Sequence, residues 1–329
     1  MKLPRRQFLR LAAGVAAQPA VMRVAQAQSY PSRPITMIVP FPAGGPLDTI
    51  GRIVVEGMRG SFSQPIVIEN VPGAAGTIGV GRVARAAPDG HTLIVGFVGT
   101  HVVNGAVYAL QYDVLSDFEP ISLFASSSWL IVAKKSLPAN DLTSFIAWLK
   151  ANPDKASQGT TGVGSPHHVA GVFFQKETGT RFQFVPYRGA APAMQDLVAG
   201  QIDMIIDSPT ITMPQVNAGT IKGYAVAAKS RLSIAPNIPT VDEAGLPRFY
   251  VSSWNGLWAP KGTPKDVISK LNAAVVHALG HPTVRQRVAD IGMEIFSRDE
   301  QTPEALGAYQ KAEIEKWWPI IKAANIKAE

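Results

Sequence analysis

Val39-Pro40-Phe41-Pro42-Ala43-Gly44-Gly45-Pro46-Leu47-Asp48 joins an apolar, β-rich run, Ile35 to Val39, to a stretch able to continue as helix from Pro46. Strand, glycine turn and helix start, in that order, present unpaired main-chain N–H groups to an anion. The two adjacent glycines permit positive φ and leave no Cβ between backbone and ligand. No lysine or arginine lies in the loop, so an anion held there rests mainly on backbone dipoles. An ordinary βα turn has the same pattern, and short glycine motifs are common. A second loop of the same kind favours the anion site. Ile66 to Asn70 reads as a strand and runs into Val71-Pro72-Gly73-Ala74-Ala75-Gly76-Thr77, followed by a helix to about Ala87.

A third strand is predicted from His91 to Val98, after the turn Pro88-Asp89-Gly90. Strands alternating with helices over this length predict a parallel sheet with right-handed crossovers. Both glycine loops then lie at the carboxyl ends of strands, where open α/β sheets bind ligands. Two apolar runs follow, Pro120 to Phe124 and Trp129 to Lys134, and the serines between them, 126 to 128, mark a passage between domains. Beyond it the pattern restarts: a helix from Asp141 to Ala151, a glycine-rich loop from Gly159 to His168, and a helix from Val169 to Thr178. Strands at Phe182–Pro186 and Ile202–Ile206 flank a short helix, Ala193 to Ala199. Proline-rich Ala235 to Pro239 closes this second unit. Two C-terminal helices, one from Pro264 with Thr263 as N-cap and one from Thr302-Pro303-Glu304, suit packing back onto the first sheet. The expected organisation is a signal segment at 1–27, one domain from 28–127 with 236–329, and a second from 128–235, hinged about a cleft.

Composition narrows the function. The formal charge of +7 falls to +2, with 26 basic against 24 acidic residues, once Lys2, Arg5, Arg6, Arg10 and Arg23 are set aside. A near-neutral mature chain lacks the electrostatic footprint of a nucleic-acid binder. No cysteine is present, which excludes disulfides, thiol catalysis and thiolate metal sites. Arg5-Arg6-Gln7-Phe8-Leu9, an apolar stretch to Val24 and Ala25-Gln26-Ala27 read as a twin-arginine export signal cleaved near Ala27. The mature protein is expected in the periplasm as a soluble monomer.

Catalytic and cofactor motifs fail on spacing. The glycines of Gly79-x-Gly81-x-x-Ala84 fall inside the helix pattern rather than the turn that a dinucleotide site needs. His167 and His168 are adjacent and point apart, with no His-x-x-x-His or acid cluster beside them, so no metal site is expected. Ser165 and His168 could be drawn as nucleophile and base, but three residues apart at a helix start they suit capping and cleft lining. Arg188 could meet a ligand carboxylate or a surface acid. Trp317 and Trp318 read as packing.

With these loops placed, the chain resembles the Bug, or TctC-type, periplasmic solute receptors of tripartite tricarboxylate transport systems. The motifs carrying the resemblance are Tyr30-Pro31-x-Arg33-Pro34-Ile35, Pro40-Phe41-x-Ala43-Gly44-Gly45-x-x-Asp48, Glu69-Asn70-x-Pro72-Gly73-Ala74-x-Gly76 and Ala87-Pro88-Asp89-Gly90. Gly164-Ser165-x-x-His168, Val185-Pro186-Tyr187-x-Gly189, Pro239-Thr240-x-x-Glu243-x-Gly245 and Trp254-x-Gly256-Leu257-x-Ala259-Pro260 continue it. The resemblance implies a two-domain, hinged α/β fold of the type II-like periplasmic-binding-protein kind, closing over a small organic acid without a cofactor. A TctA/TctB-type membrane transporter or a sensor would be the partner. Carried over by position, the first-domain grip is Phe41, Ala43, Gly44, Gly45, Asp48, Gly73, Ala74, Ala75 and Gly76. Ser165, His168, Tyr187 and Asp207 would contact the ligand from the second domain. Leu47 stands where many relatives carry a small hydroxyl residue, which removes one polar contact. The competing class, a periplasmic hydrolase acting on a small acid, needs a nucleophile–base–orienter set that the sequence does not show.

Overall fold

The computed structural model describes residues 30–327, so the export signal read at residues 1–27 lies outside the described residues. The strands are β1 (Ile35–Val39), β2 (Ile66–Asn70), β3 (Thr92–Phe97), β4 (Phe118–Ser128), β5 (Leu130–Lys134), β6 (Ser157–Thr160), β7 (Gln183–Pro186), β8 (Met204–Asp207), β9 (Ile221–Val226), β10 (Ser252–Pro260) and β11 (Glu294–Ile295). The helices are α1 (Pro46–Gly57), α2 (Thr77–Ala84), α3 (Asn104–Val107), α4 (Leu142–Ala151), α5 (Pro166–Thr178), α6 (Ala190–Ala199), α7 (Pro209–Asn217), α8 (Lys265–Gly280), α9 (Pro282–Asp290) and α10 (Pro303–Ala323). One sheet has six strands in the order β11-β4-β10-β3-β1-β2, the other five in the order β7-β6-β8-β5-β9.

Both sheets are mixed, where strand–helix alternation predicts parallel ones. β1 pairs in parallel with β2 and β3, Ile35 opposite Ile66 and Thr36 opposite Thr92. β6 is parallel to β7 and β8. β10 arrives from the second sheet, enters between β3 and β4 and runs antiparallel to both. β5 is likewise antiparallel to β8 and β9. Local pattern cannot reveal this, because the partners of β10 lie far back in the chain and packing alone selects its slot. Being buried along nearly its whole length, β10 also lacks the apolar–polar alternation that marks a half-buried strand.

Alternation in β1 sends Ile35, Met37 and Val39 to one face and Ile38 to the other. The first face is covered by α1 and α8 through Ile50, Val54, Leu271 and Val275. The opposite face carries Trp254 and Trp258 of β10, and its core continues into Ile131, Phe173 and Phe249 beside the second sheet. α10 closes that junction. Its Trp317 stands edge-on to Phe173 of α5 at 5.5 Å, and Gln310 Nε2 donates to the carbonyls of His101 and Val114, each at 2.8 Å.

The chain passes between the sheets twice. At the first passage, directly after the serine run, Trp129 N–H donates to Val251 O at 3.0 Å and Trp129 O accepts from Ala227 N–H at 2.8 Å. The second passage is the segment 227–251. It stays beside the second sheet, with Thr240 bridged to Val226 and with Val241 and Leu246 in the same cluster as Phe145 and Tyr224. Thr302 caps α10 as its sequence predicts, accepting from Ala305 N–H, with Pro303 in the first turn. Thr263 does not cap α8: that helix begins at Lys265, and the Thr263 hydroxyl donates instead to Pro260 O at 2.8 Å.

Candidate ligand-binding site

The loop after β1 is shaped by a carboxylate one turn into α1. Asp48 is 2% exposed, and its Oδ2 accepts from Gly44 N–H and from Arg52 Nε, both at 2.8 Å. Its Oδ1 accepts from Asn70 Nδ2 at 3.0 Å, and the same Nδ2 reaches Phe41 O at 2.9 Å. Burial pushes the Asp48 carboxyl up, but hydrogen bonds from Arg52, Gly44 and Asn70 and the charge of Arg52 outweigh it and leave it at about 2. Asp48 is thus an internal staple. Gly44 N–H, one of the donors that the sequence assigns to an anion, is already taken. Leu47 N–H and Asp48 N–H at the start of α1 carry no hydrogen bond among the described residues. The Leu47 side chain is 7% exposed and packs in the core with Val39 and Ile50. At this position the backbone N–H, and not the leucine side chain, is left for a ligand.

The loop after β2 is the more unusual. Gly73, Ala74, Ala75 and Gly76 have φ of +131°, +45°, +53° and +89° in succession. Left-handed backbone costs a non-glycine residue about 1–2 kcal/mol, and two alanines adopt it side by side. Gly76 N–H bonds to Gly73 O at 2.9 Å, while the N–H groups of Ala74 and Ala75 make no hydrogen bond among the described residues. The turn is held from behind. Asn104, 4% exposed, donates through Nδ2 to Ala75 O at 3.0 Å. A π-helical turn, Gly99–Val103, leads into Asn104. It is anchored by Thr100, whose hydroxyl meets both the N–H and the carbonyl of Phe97 at 3.1 Å, and by fully buried His101. Burial pushes that imidazole down to about 3, so it stays neutral, stacked on Trp258 at 3.9 Å.

Gly76 joins the two loops. A Cβ there would lie 2.9 Å from Thr100 Cγ2 and 3.2 Å from the Phe41 ring, so the aromatic side chain of the first loop lies over the backbone of the second. Phe41 is fixed in turn by Phe97, edge to face at 5.5 Å. Phe41, Gly44, Asp48 and the four residues of the second loop therefore form one assembly, with Ala43 exposed at its edge.

The second group lies at the carboxyl ends of β6, β7 and β8. Ser165 caps α5, its hydroxyl accepting from His168 N–H at 3.3 Å. His168 Nδ1 accepts from Gly164 N–H at 3.0 Å, and burial pushes the imidazole down. The Ser165 hydroxyl thus faces the main chain and not the imidazole, and Ser165 and His168 do not form a nucleophile–base pair. Tyr187 donates its hydroxyl to Asp196 Oδ2 at 2.7 Å; burial and that carboxylate push it up to about 12. Asp207 is buried, accepts from Ser208 N–H at 2.6 Å and stands 3.1 Å from His167 Nε2, off the line of a hydrogen bond. Arg188 is exposed. No hydrogen bond among the described residues joins this group to the first. The two adjoin one step removed, where Gly164 packs so closely on Val107 of α3 that a Cβ would lie 2.6 Å from it.

Sequence reading passed over Arg52, Asn70 and Asn104 as site residues. Asn70 was visible within the Glu69-Asn70-x-Pro72-Gly73 pattern. Asn104 had no local signal. Two cavities, of about 410 and 360 Å³, lie elsewhere, at the start of β2 and beside β11. We place the candidate site on the loops nevertheless, because there two adjacent left-handed alanines, unpartnered N–H groups and the ends of neighbouring strands come together. Among the described residues, no group of three or more acidic or histidine side chains could hold a metal.

Two mixed sheets joined by two chain passages, with anion-ready loops at strand ends, define an α/β solute-binding protein of two domains. The chain matches the family described as "Tripartite tricarboxylate transporter family receptor" over residues 50–326 and belongs to it. It is 39% identical over 303 residues, 92% of this chain and 88% of the relative, to a UPF0065 protein in the TAR-I ttuE-ttuC' intergenic region of Agrobacterium vitis. Among solved structures it is similar to the periplasmic binding protein BugD, with a TM-score of 0.76, 37% identity and coverage of 91% of this chain and 100% of that one. It is equally similar to MatC from Rhodopseudomonas palustris with bound malate, with a TM-score of 0.77, 38% identity and coverage of 89% and 100%. The family and these neighbours are solute-binding proteins and not enzymes.

Proposed function

We propose that this chain is an exported receptor that captures a small organic carboxylate between its two domains. It would deliver the acid to a tripartite tricarboxylate-type membrane transporter or report it to a sensor. The observation carrying this reading is the Gly73–Gly76 turn, in which two alanines are held left-handed while the N–H groups of Ala74 and Ala75 lack partners. Backbone strain persists only where the surroundings enforce it, and it clusters at functional sites. With Leu47 and Asp48 N–H also unpartnered in the first loop, and Phe41 of that loop resting on Gly76 of the second, the pair of loops suits one carboxylate. MatC, solved with malate, supports a dicarboxylate or hydroxy acid as the ligand class, the distal part facing Tyr187 and Asp207. Export is supported by Arg5-Arg6 and Ala25-Gln26-Ala27; no helix among the described residues is long and apolar enough to cross a membrane. We draw the second domain as residues 129–251, not 128–235, because segment 236–251 packs beside the second sheet.

A thermal-shift screen of mature protein against malate, succinate, adipate, glutamate and aromatic acids tests the reading. An acid present at about 100 times its Kd adds about 2.7 kcal/mol of stability, a rise of several degrees. If no carboxylate raises the melting temperature at millimolar concentration while an uncharged solute does, the reading is wrong.

A further inference from the structure

Six buried side-chain polar atoms lack a hydrogen-bond partner among the described residues, and three of them, Trp129 Nε1, His167 Nε2 and Gln158 Oε1, belong to side chains in or beside one contact. The imidazole of His167 lies against the indole of Trp129, ring centroids 4.5 Å apart and planes 26° from parallel. His167 Nδ1 is 2.9 Å from Thr161 Oγ1, Nε2 is 3.1 Å from Asp207 Oδ1, and its carbonyl accepts from Gln158 Nε2 at 3.0 Å. Trp129 is itself the first passage between the sheets, its main chain held between Val251 and Ala227 of the second passage. One side chain therefore touches the loop after β6, the end of β8 and the passage joining the domains.

We propose that His167 is a positioning residue that ties the loop 161–168 and Asp207 to the passage at Trp129, so that neither shifts without the other. A flat ring stacked on one face and contacted at both edge nitrogens has a single in-plane orientation. Movement of Thr161 or Asp207 turns the ring, and turning it breaks the stack. The unpartnered Nε2 of His167 and Nε1 of Trp129 add a driving force. A buried polar atom without a partner is costly, so a small rearrangement that satisfies either one is favoured. The proposal builds on the reading of Asp207 and its neighbours as ligand-facing, but the tie is a property of the ligand-free protein and is tested there.

Ligand-free protein labelled with 5-fluorotryptophan gives a ¹⁹F signal for Trp129, assigned by its loss in Trp129→Phe. Thr161→Val and Asp207→Asn touch the edges of His167 and not the indole. Each is expected to move the Trp129 resonance, and Thr161→Val, which removes the hydrogen bond to Nδ1, to speed amide exchange at Ala227 and Val251 about fivefold, the effect of one net hydrogen bond. Thr161→Ser keeps the hydroxyl and should leave both readouts at their native values. His167→Phe keeps a flat ring but loses the edge contacts, and in that background Thr161→Val should add nothing, which a merely structural role for Thr161 would not produce. The proposal is overturned if Thr161→Val and Asp207→Asn leave Trp129 and the passage amides unchanged, or if Thr161→Val acts as strongly beside His167→Phe. No acid is added, so the thermal screen can overturn the receptor reading without touching this result.

Discussion

Asp48 accepts hydrogen bonds from the Gly44 main chain, Arg52 and Asn70 while almost wholly buried, so removing its charge should loosen the first loop. Its folded pKa is depressed to about 2. The stabilisation is therefore complete above the ordinary carboxylate range near 4 and is lost as pH falls through about 2. Asp48→Asn should cost about 2 kcal/mol at pH 7, a gap that urea unfolding should show closing towards pH 2. A gap unchanged at pH 2 would assign the loss to shape and not to charge. Gly76 and Gly44 offer a matched pair. Both have positive φ, but a Cβ at Gly44 meets nothing within 4 Å while one at Gly76 meets Thr100 and Phe41. Gly44→Ala should lose about 1–2 kcal/mol from backbone strain alone. Gly76→Ala should lose about 1–3 kcal/mol more through overpacking. Equal melting temperatures for the two variants would mean that Phe41 does not rest on Gly76. The two glycines were legible as loop residues, but which was crowded was not, because the crowding atoms come from other segments.

Among the elements, the turn after β2 concentrates strain. Replacing Ala74 and Ala75 by glycine relieves about 1–2 kcal/mol each and adds about 0.4–1 kcal/mol each of unfolded-chain entropy. The double variant should therefore be more stable, by about 1 kcal/mol in denaturant unfolding, and should bind its acid more weakly because the turn is less fixed. A less stable double variant would show that the alanine methyl groups contribute packing that outweighs the strain. At the second-domain loop, Ser165→Ala removes the cap of α5 and should cost about 1 kcal/mol without abolishing ligand binding. Complete loss in a folded variant would give the hydroxyl a ligand-contacting role. Helix starts at Thr302 and Ser165 could be read because a cap is local chemistry. Thr263 could not, because its hydroxyl chooses between α8 and the Pro260 carbonyl, and only the fold brings that carbonyl near.

For the whole molecule, two passages between the sheets make domain closure the expected response to ligand. Small-angle scattering at saturating carboxylate should give a smaller radius of gyration than the ligand-free protein. An unchanged profile, with binding shown by calorimetry, would mean that the domains are already closed. The sequence by itself determined the α/β class, the restart of the strand–helix pattern in a second unit, the glycine loops at strand ends and the passage beside the serine run. These follow from periodicity, turn chemistry and capping, which act over a few residues. Only the tertiary structure decided that β10 enters the first sheet antiparallel between β3 and β4, that Asp48 faces inward to hold its own loop, and that Leu47 turns into the core. It also decided that Asn104 fixes the turn before α2 and that His167 sits on Trp129. Those outcomes depend on hydrogen bonds and packing between segments distant along the chain. Their free energy appears only once the sheets have formed, so no local pattern encodes them.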